Sequence, residues 1–331
     1  MRFLFSAGQA LSSGWELPVH LDAGELAWRR KVCSMIRGQE LLARATRAYV
    51  RHFPFERGKA RLIQLATRLG PRSYLRTWVR DVLMDLELED LHQNLVFFRG
   101  YEERTIDLAR RLLRNGDSAV DVGANIGLHT LQFAKAVFPE GHVHAFEPMP
   151  DLCVRLSKHL ELNELGNVTV NEFALAGREG TAHLHVSSRS NYAMHSFSRE
   201  NAGLNNGGSP VAGFEIKCRR LDDYLRERGV ANLKLLKVDV EGAELQVFQG
   251  SAELLGSDPG PVVVFEASDL LARPFGHSSA DVKALLAAHG YQLYRYSSEG
   301  LARVSVEQPH RLEDLIAAKP EHRLGELFPR V

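Results

Sequence analysis

The sequence predicts an α/β protein: a doubly wound, mostly parallel sheet with an antiparallel edge hairpin, preceded by a mainly helical extension. Three observations carry that prediction. After residue 117, continuous apolar strands alternate with amphipathic helices, the pattern of a parallel sheet covered on both faces. A glycine turn, "DVGANIG" at 121–127, joins the first of these strands to the first helix. Two late strand-like runs, "YQLYRYS" and "ARVSVEQ", lie either side of "SEG", a hairpin length that makes one of them antiparallel.

The elements follow in order. From 25 to 70 apolar residues recur three and four apart, as in helices, with "HFPFERG" as the break. "TWVRDVLMDLEL" and "NLVFFRG" read as short strands around a polar turn, and "ERTIDLARRLLRNG" as a helix closed by Gly116. Next come strand "SAVDV", helix "GLHTLQFAKAVF", strand "HVHAFEP", helix "DLCVRLSKHLELN" and strand "VTVNEFAL". Strands "LKLLKVDV" and "PVVVFEAS" and the helix "SADVKALLAAHG" precede the hairpin. The expected divisions are a basic helical extension at 1–80, a lead-in of strands and a helix at 81–116, the α/β domain at 117–310 and a tail at 311–331.

Composition narrows the function classes. With 331 residues, 44% hydrophobic and 25% charged, the chain reads as a soluble globular protein. Cys33, Cys153 and Cys218 are an odd number without paired spacing, so neither a disulfide framework nor a zinc knuckle is implied. A reducing, cytoplasmic compartment is the simplest expectation. No eighteen apolar residues run unbroken, and "MRFLFSAGQALSSGWELPVH" is too brief in its apolar part for a secretory signal.

The net charge of zero hides an asymmetry. From Arg29 to Arg80 there are fourteen Lys or Arg against only Glu40 and Glu56, a net of +12, which leaves −12 for the rest. Such a block could meet an anionic membrane surface or an acidic acceptor, or it could pack on the acidic remainder. No nucleic-acid partner is expected. The N-terminal helices could also pair two chains into a homo-oligomer.

The glycine turn is where chemistry is expected. In an open parallel sheet, ligands bind beyond the carboxyl ends of the strands where strand order reverses. A dinucleotide fingerprint would be G-x-G-x-x-G. Here Asp121 precedes glycines four apart, Gly123 and Gly127, and a pyrophosphate does not favour that carboxylate. The ammonium of an aminoacyl group does, and S-adenosylmethionine (SAM) carries one. Glu147 ends the next strand, where a carboxylate can accept both ribose hydroxyls. Glu172, Phe173 and Ala174 lie at the third strand end, where an adenine edge would fall, although Phe173 is equally suited to the core.

These residues resemble one family. "GANIGLHTLQFA", "AFEPMPDLCVRLSKHLELN", "LKLLKVDVEGAELQVFQG" and "PVVVFEAS", in that order, are similar to the FkbM-type SAM-dependent methyltransferases. "LVFFRGYEERTIDLARRLLRNGD" resembles the segment that leads into that domain, and "KVDVEGAE" at 237–244 is the most specific element. The resemblance implies a class I methyltransferase (Rossmann-like) fold, SAM as cofactor and O-methylation of a sugar or polyketide hydroxyl. It places Asp121, Gly123, Asn125, Gly127 and Glu147 around the cofactor, and Asp239, Glu241 and Glu244 in an acidic motif. Glu102, Ala124, Thr130 and Asp239 complete the expected cofactor-binding set. His129 departs from the family, which often has an aromatic residue there.

A hydroxyl acceptor needs a base positioned for its proton. Asp239 is the first candidate, then Glu266 at the fifth strand end, with Glu241 in the turn between them. His195 stands behind these if the polar stretch between Val186 and Phe214 acts as a lid, with Asn191 and Ser196 as further contacts. Acids without nearby His ligands could also hold Mg²⁺ or Ca²⁺, an occupancy not expected here. Two His at 183 and 185 share a strand face but lack a third ligand. Lys237, one alternation before Asp239, is expected to support the acids through an ion pair. Two other classes stay open: a NAD- or nucleotide-dependent sugar enzyme, and a non-catalytic relative of the same fold that docks through its basic helices.

Overall fold

The computed structural model describes residues 23–53, 56–70, 74–100, 102–186, 196–203, 212–230, 232–297 and 300–328. Two helices, α1 (Ala23–His52) and α2 (Lys59–Leu69), precede an antiparallel hairpin of β1 (Leu75–Val79) and β2 (Val82–Leu86). Helices α3 (Leu91–Arg99) and α4 (Glu103–Leu112) lead to the alternating unit: β3 (Ser118–Val122), α5 (Leu128–Val137), β4 (His142–Phe146), α6 (Pro150–Leu162) and β5 (Val168–Asn171). There follow β6 (Ala174–Leu175), β7 (Gly180–Val186), α7 (Arg199–Gly203), β8 (Ala212–Arg219), α8 (Leu221–Arg228) and β9 (Leu233–Val238). The chain ends through α9 (Glu244–Gln249), α10 (Ala252–Gly256), β10 (Val262–Ala267), α11 (Asp269–Ala272), α12 (Ser279–Ala288), β11 (Gln292–Ser297), β12 (Gly300–Arg303), β13 (Glu313–Ala318) and α13 (Leu324–Leu327).

Eight strands form the central sheet in the order β12-β11-β13-β10-β9-β3-β4-β5. The five from β10 to β5 are parallel; the apolar runs of β3, β4, β9 and β10 are buried on both faces, and every crossover includes a helix. Strands β3, β4 and β5 step outward one way while β9 and β10 lie on the other side of β3. The order therefore reverses between β3 and β9, and a crevice opens there at the carboxyl ends. Strands β11 and β12 form the expected antiparallel hairpin at one edge.

Four expectations change. "NLVFFRG" belongs to helix α3, not to a strand. Its ends explain why: the Asp90 side chain accepts the Gln93 N–H at 2.9 Å, and Gly100 closes the helix at φ 67°. The apolar run Leu95–Phe98 imitates a strand, but it lies in a helix that buries Gln93, Val96, Phe97 and Phe98. "VTVNEFAL" also divides. Strand β5 stops at Asn171, and β6 joins a separate three-stranded sheet with β8 and β7.

The stretch 311–331 is no tail, because β13 inserts between β10 and β11, antiparallel to both. Its residues Leu315, Ile316, Ala317 and Ala318 are buried, so a short apolar run suffices to complete the sheet. Nor does 1–80 stand apart. Ala43 and Ala66 share one apolar cluster with the β1–β2 hairpin, α3, Leu128 and Leu156.

Part of the basic block takes part in this packing. Arg44 donates to Arg76 O at 2.8 Å, Arg47 to Thr77 Oγ1 at 2.7 Å and Trp78 O at 3.1 Å, and Arg51 to Val96 O at 3.0 Å. Arg76 pairs with Asp85 at 2.8 Å, and Arg80 with Asp107 at 2.7 Å. Of the readings open for the block, packing on the acidic remainder describes Arg51, Arg76 and Arg80, whereas Arg44 and Arg47 bond within the block itself. Among the described residues no helix is long and apolar enough to cross a membrane.

Candidate active site

The glycine turn is built by close approach. A Cβ at Gly123, where φ is +76°, would lie 1.8 Å from the Asp239 carbonyl oxygen, so only glycine lets the loops after β3 and β9 meet. The Gly123 and Ala124 N–H groups both donate to Phe146 O at 3.0 Å, which ties the turn to β4. At Gly127, φ +95°, a Cβ would press 2.3 Å from Leu156 Cδ1. Glu147 is gripped from two sides: Oε2 accepts the Asn125 N–H and Oε1 the Met149 N–H, each at 2.9 Å. Each oxygen keeps a lone pair for a further donor. Burial pushes the Glu147 carboxyl up to about 7.

Register then places opposite charges side by side. Asp121 of β3 pairs with Lys237 of β9, and their side chains meet at 3.4 Å. Lys237 reaches Asp239 as well, at 3.3 Å. Burial works against this ammonium, but Asp239 and Asp121 outweigh it and raise its pKa. Asp121 is fully buried, with Thr130 Oγ1 donating to its other oxygen at 2.6 Å. Asp121 and Thr130, both expected at the cofactor, therefore sit beneath the turn and do not line the cavity.

Beyond Asp239 the acids have no such counterion. Glu241 sits at φ 55° in the turn after β9, and Glu266 is in β10. Oε2 of each is buried and makes no hydrogen bond. Burial, then the charges of Asp239 and Glu244, push the Glu241 carboxyl well above its usual range; burial, Asp239 and Glu241 do the same to Glu266. Glu244 has a positioning role, since its Oε1 accepts the N–H groups of Val240 at 3.2 Å and Gly242 at 3.1 Å. Asn201 Nδ2 and Ser196 Oγ steady the same turn through Glu241 O.

A cavity of about 470 Å³ opens over these groups, within the usual range for a small-molecule site. Gly123, Ala124, Asn125, Glu147, Ala174, Asp239, Glu241 and Glu266 line it together with Glu102. Gly127 shapes the turn from behind. Glu172 is exposed at the strand end, and Phe173 packs on Phe146, Tyr224 and Arg219, so neither lines the cavity. His195 and Asn191 lie outside the described residues. His183 and His185 meet edge to face, with ring centres 4.7 Å apart, away from the cavity.

Of three further contributors two were not legible beforehand, while the sequence marks His129 only as a departure from the family. His92 lines the cavity from the first turn of α3, where the sequence reads as a polar turn ahead of a strand. His129 lines it from α5, with Nε2 at 3.5 Å from Glu102 Oε2. Asp314 comes from β13 and accepts from Thr105 Oγ1 at 3.0 Å, opposite Glu266 in register. Only the acid ahead of the apolar run "LIAA" hints at it.

The residues present fit an adenosylated amino acid. Glu147 has lone pairs free for ribose hydroxyls, Leu152, Ala174 and Leu175 offer apolar walls for a base, and a side chain at Gly123 would block the turn. Sequence comparison agrees with the geometry. Residues 121–293 match the Methyltransferase FkbM domain. Methyltransferase sdnD of Sordaria araneosa is 30% identical over 243 residues, spanning 66% of this chain and 90% of its own. The 31-O-demethyl-FK506 methyltransferase FkbM of Streptomyces tacrolimicus is 31% identical over 245 residues, 67% of this chain and 88% of its own. The 2-O-methyltransferase NoeI of Sinorhizobium fredii is 27% identical over 155 residues, 44% of this chain and 61% of its own. The chain belongs to the FkbM methyltransferase family, with SAM as its methyl donor.

Proposed function

We propose that this protein methylates a hydroxyl oxygen on a sugar or a secondary metabolite. One observation carries the reading: two buried carboxylate oxygens, on Glu241 and Glu266, have no hydrogen-bond donor at the cavity wall. Buried acceptors require donors, and the hydroxyls of an incoming acceptor are donors of the right kind. Two of the relatives support oxygen as the target, since their names specify 31-O and 2-O methylation.

When bound, SAM supplies an electrophilic methyl group on a sulfonium, open to in-line displacement. Glu147 holds the ribose hydroxyls with its remaining lone pairs. Asp239, already engaged by Lys237, orients the acceptor. Glu266 accepts the acceptor's proton, because it lacks a counterion and its raised pKa brings it towards the working range of a general base. This reverses the order expected from sequence, in which Asp239 came first.

The test uses SAM with an isotope-labelled methyl group and matched acceptors that carry a hydroxyl, an amine or a thiol on the same scaffold. Label should appear as a methoxy resonance on the hydroxyl compounds alone. Transfer to nitrogen, sulfur or carbon instead would sink the reading.

A further inference from the structure

The carboxylate expected to meet the cofactor's ammonium is not available to it. Asp121 is fully buried, and its two oxygens face Thr130 and Lys237. The Lys237 ammonium also lies 3.5 Å from Gly123 O and 3.3 Å from Asp239. A second cation brought to that spot would meet the first. The methionine tail of SAM therefore needs a different carboxylate, within reach of the glycine turn and open to the cavity.

Glu102 meets both requirements. It precedes α4 with φ 66°, a left-handed conformation that is uncommon for a residue with a side chain. Its side chain is only 9% exposed and lines the same cavity as Gly123 and Asn125. His129, in the first turn of α5, stands 3.5 Å away, and its buried Nε2 makes no hydrogen bond. We propose that Glu102 binds the α-ammonium group of SAM, with the His129 imidazole beside it for the tail's carboxylate. The inference rests on the cofactor assignment above and says which residue of this chain takes the tail.

The surroundings give the contact a signature. Groups facing Glu102 are His129 of α5, Lys237 of β9 with Asp239 after it, and Asp314 of β13; its neighbour Glu103 turns to Arg51 instead. Burial, reinforced by Asp314 and Asp239 and opposed by Lys237, raises the Glu102 carboxyl to about 9. Burial keeps His129 neutral. Free protein thus carries a protonated Glu102, whereas the ammonium pairs with the carboxylate. Binding the tail breaks the O–H bond and releases that proton to solvent, so affinity for the tail rises with pH below about 9.

Two nucleosides separate this from every other contact: S-adenosylhomocysteine, which has the amino-acid tail, and methylthioadenosine, which lacks it. Their affinities are measured by calorimetry on the whole protein, and their ratio cancels the titration of Glu147 at the shared ribose. Between about pH 6.5 and 7.5 the ratio should rise towards tenfold in favour of the tailed ligand, with a proton released on binding. Glu102→Gln should weaken S-adenosylhomocysteine by about 10- to 100-fold, the range of a charge-assisted hydrogen bond, and change methylthioadenosine by less than about twofold.

A flat ratio in the native protein, or a variant that binds the tailed ligand as the native protein does, overturns the proposal. If Glu102→Gln loses both ligands through misfolding, the native pH ratio decides alone. Failure of both nucleosides to bind the native protein would remove the cofactor assignment and the proposal together.

Discussion

Two pairs of carboxylates near the ends of neighbouring strands have opposite surroundings. Asp121 and Asp239 flank Lys237, with its ammonium 3.4 and 3.3 Å from them. Glu241, two residues beyond Asp239, and Glu266 of the neighbouring strand β10 each have a buried oxygen and no donor. All four are acids at strand tips, and sequence treats them alike. One lysine makes the difference, because the β3–β9 register brings it beside Asp121 and strand alternation turns it towards Asp239. Asp121, with Thr130 and Lys237 at its oxygens, serves the structure, and the acids without a donor are those the proposed function gives to substrate.

The strongest way to break this contrast is to remove the cation. Lys237→Met leaves Asp121 buried and uncompensated, and should cost about 3–5 kcal/mol, read as a lowered denaturant midpoint with the slope unchanged. An unaltered midpoint would mean that the pair is not what holds the two loops.

Next in size is Glu266→Gln. Turnover should fall by about 10²- to 10³-fold as the proton acceptor is lost, while S-adenosylhomocysteine affinity stays within about twofold. Equal loss in Asp239→Asn and none in Glu266→Gln would return the base to Asp239. In the native enzyme, kcat/KM should fall on acidification, and the midpoint should lie above the ordinary carboxylate range because the base must be ionised.

A smaller effect sharpens the comparison from the basic side. Arg47→Met removes two bonds to the β1 strand and should cost about 1–2 kcal/mol in stability. Cofactor affinity should not acquire a new salt dependence. A large loss of acceptor affinity at unchanged stability would revive a steering role for the basic block.

The smallest expected effect carries a sign. Glu266 has a raised pKa in the folded state, so between its unfolded and folded pKa the native protein binds a proton there that the unfolded chain has lost. Its contribution to stability is full below the unfolded pKa and declines as pH rises through the folded one. Glu266→Gln should accordingly raise the Tm at alkaline pH, and the gain should vanish towards about pH 4. A variant less stable at high pH would contradict the unpartnered reading of this acid.

Much of the site is legible because its rules are local. "DVGANIG" must turn tightly between a strand and a helix, and Glu147 must end the next strand, wherever the rest of the chain goes. Other parts mislead for equally physical reasons. "NLVFFRG" has strand-like composition, and only the caps at Asp90 and Gly100 select a helix, which then carries His92 to the cavity. Asp121 looks like a ligand because its sequence position does not reveal that Lys237 and Thr130 already take its oxygens. Glu172 and Phe173 fall where β5 leaves the main sheet, so the strand end that should present them turns away.

By itself, the sequence determined the alternation of strands and helices, the glycine turn, the strand-end acids and the edge hairpin. Each of those depends on residues within a few positions of one another. Tertiary structure alone decided which acid faces which cation, that β13 enters the sheet between β10 and β11 and that the basic helices share an apolar cluster with the domain. Those outcomes depend on strand register and on pairings between residues up to about two hundred positions apart, such as Thr105 with Asp314. Burial then sets the charge of each group, and burial is a property of the folded whole.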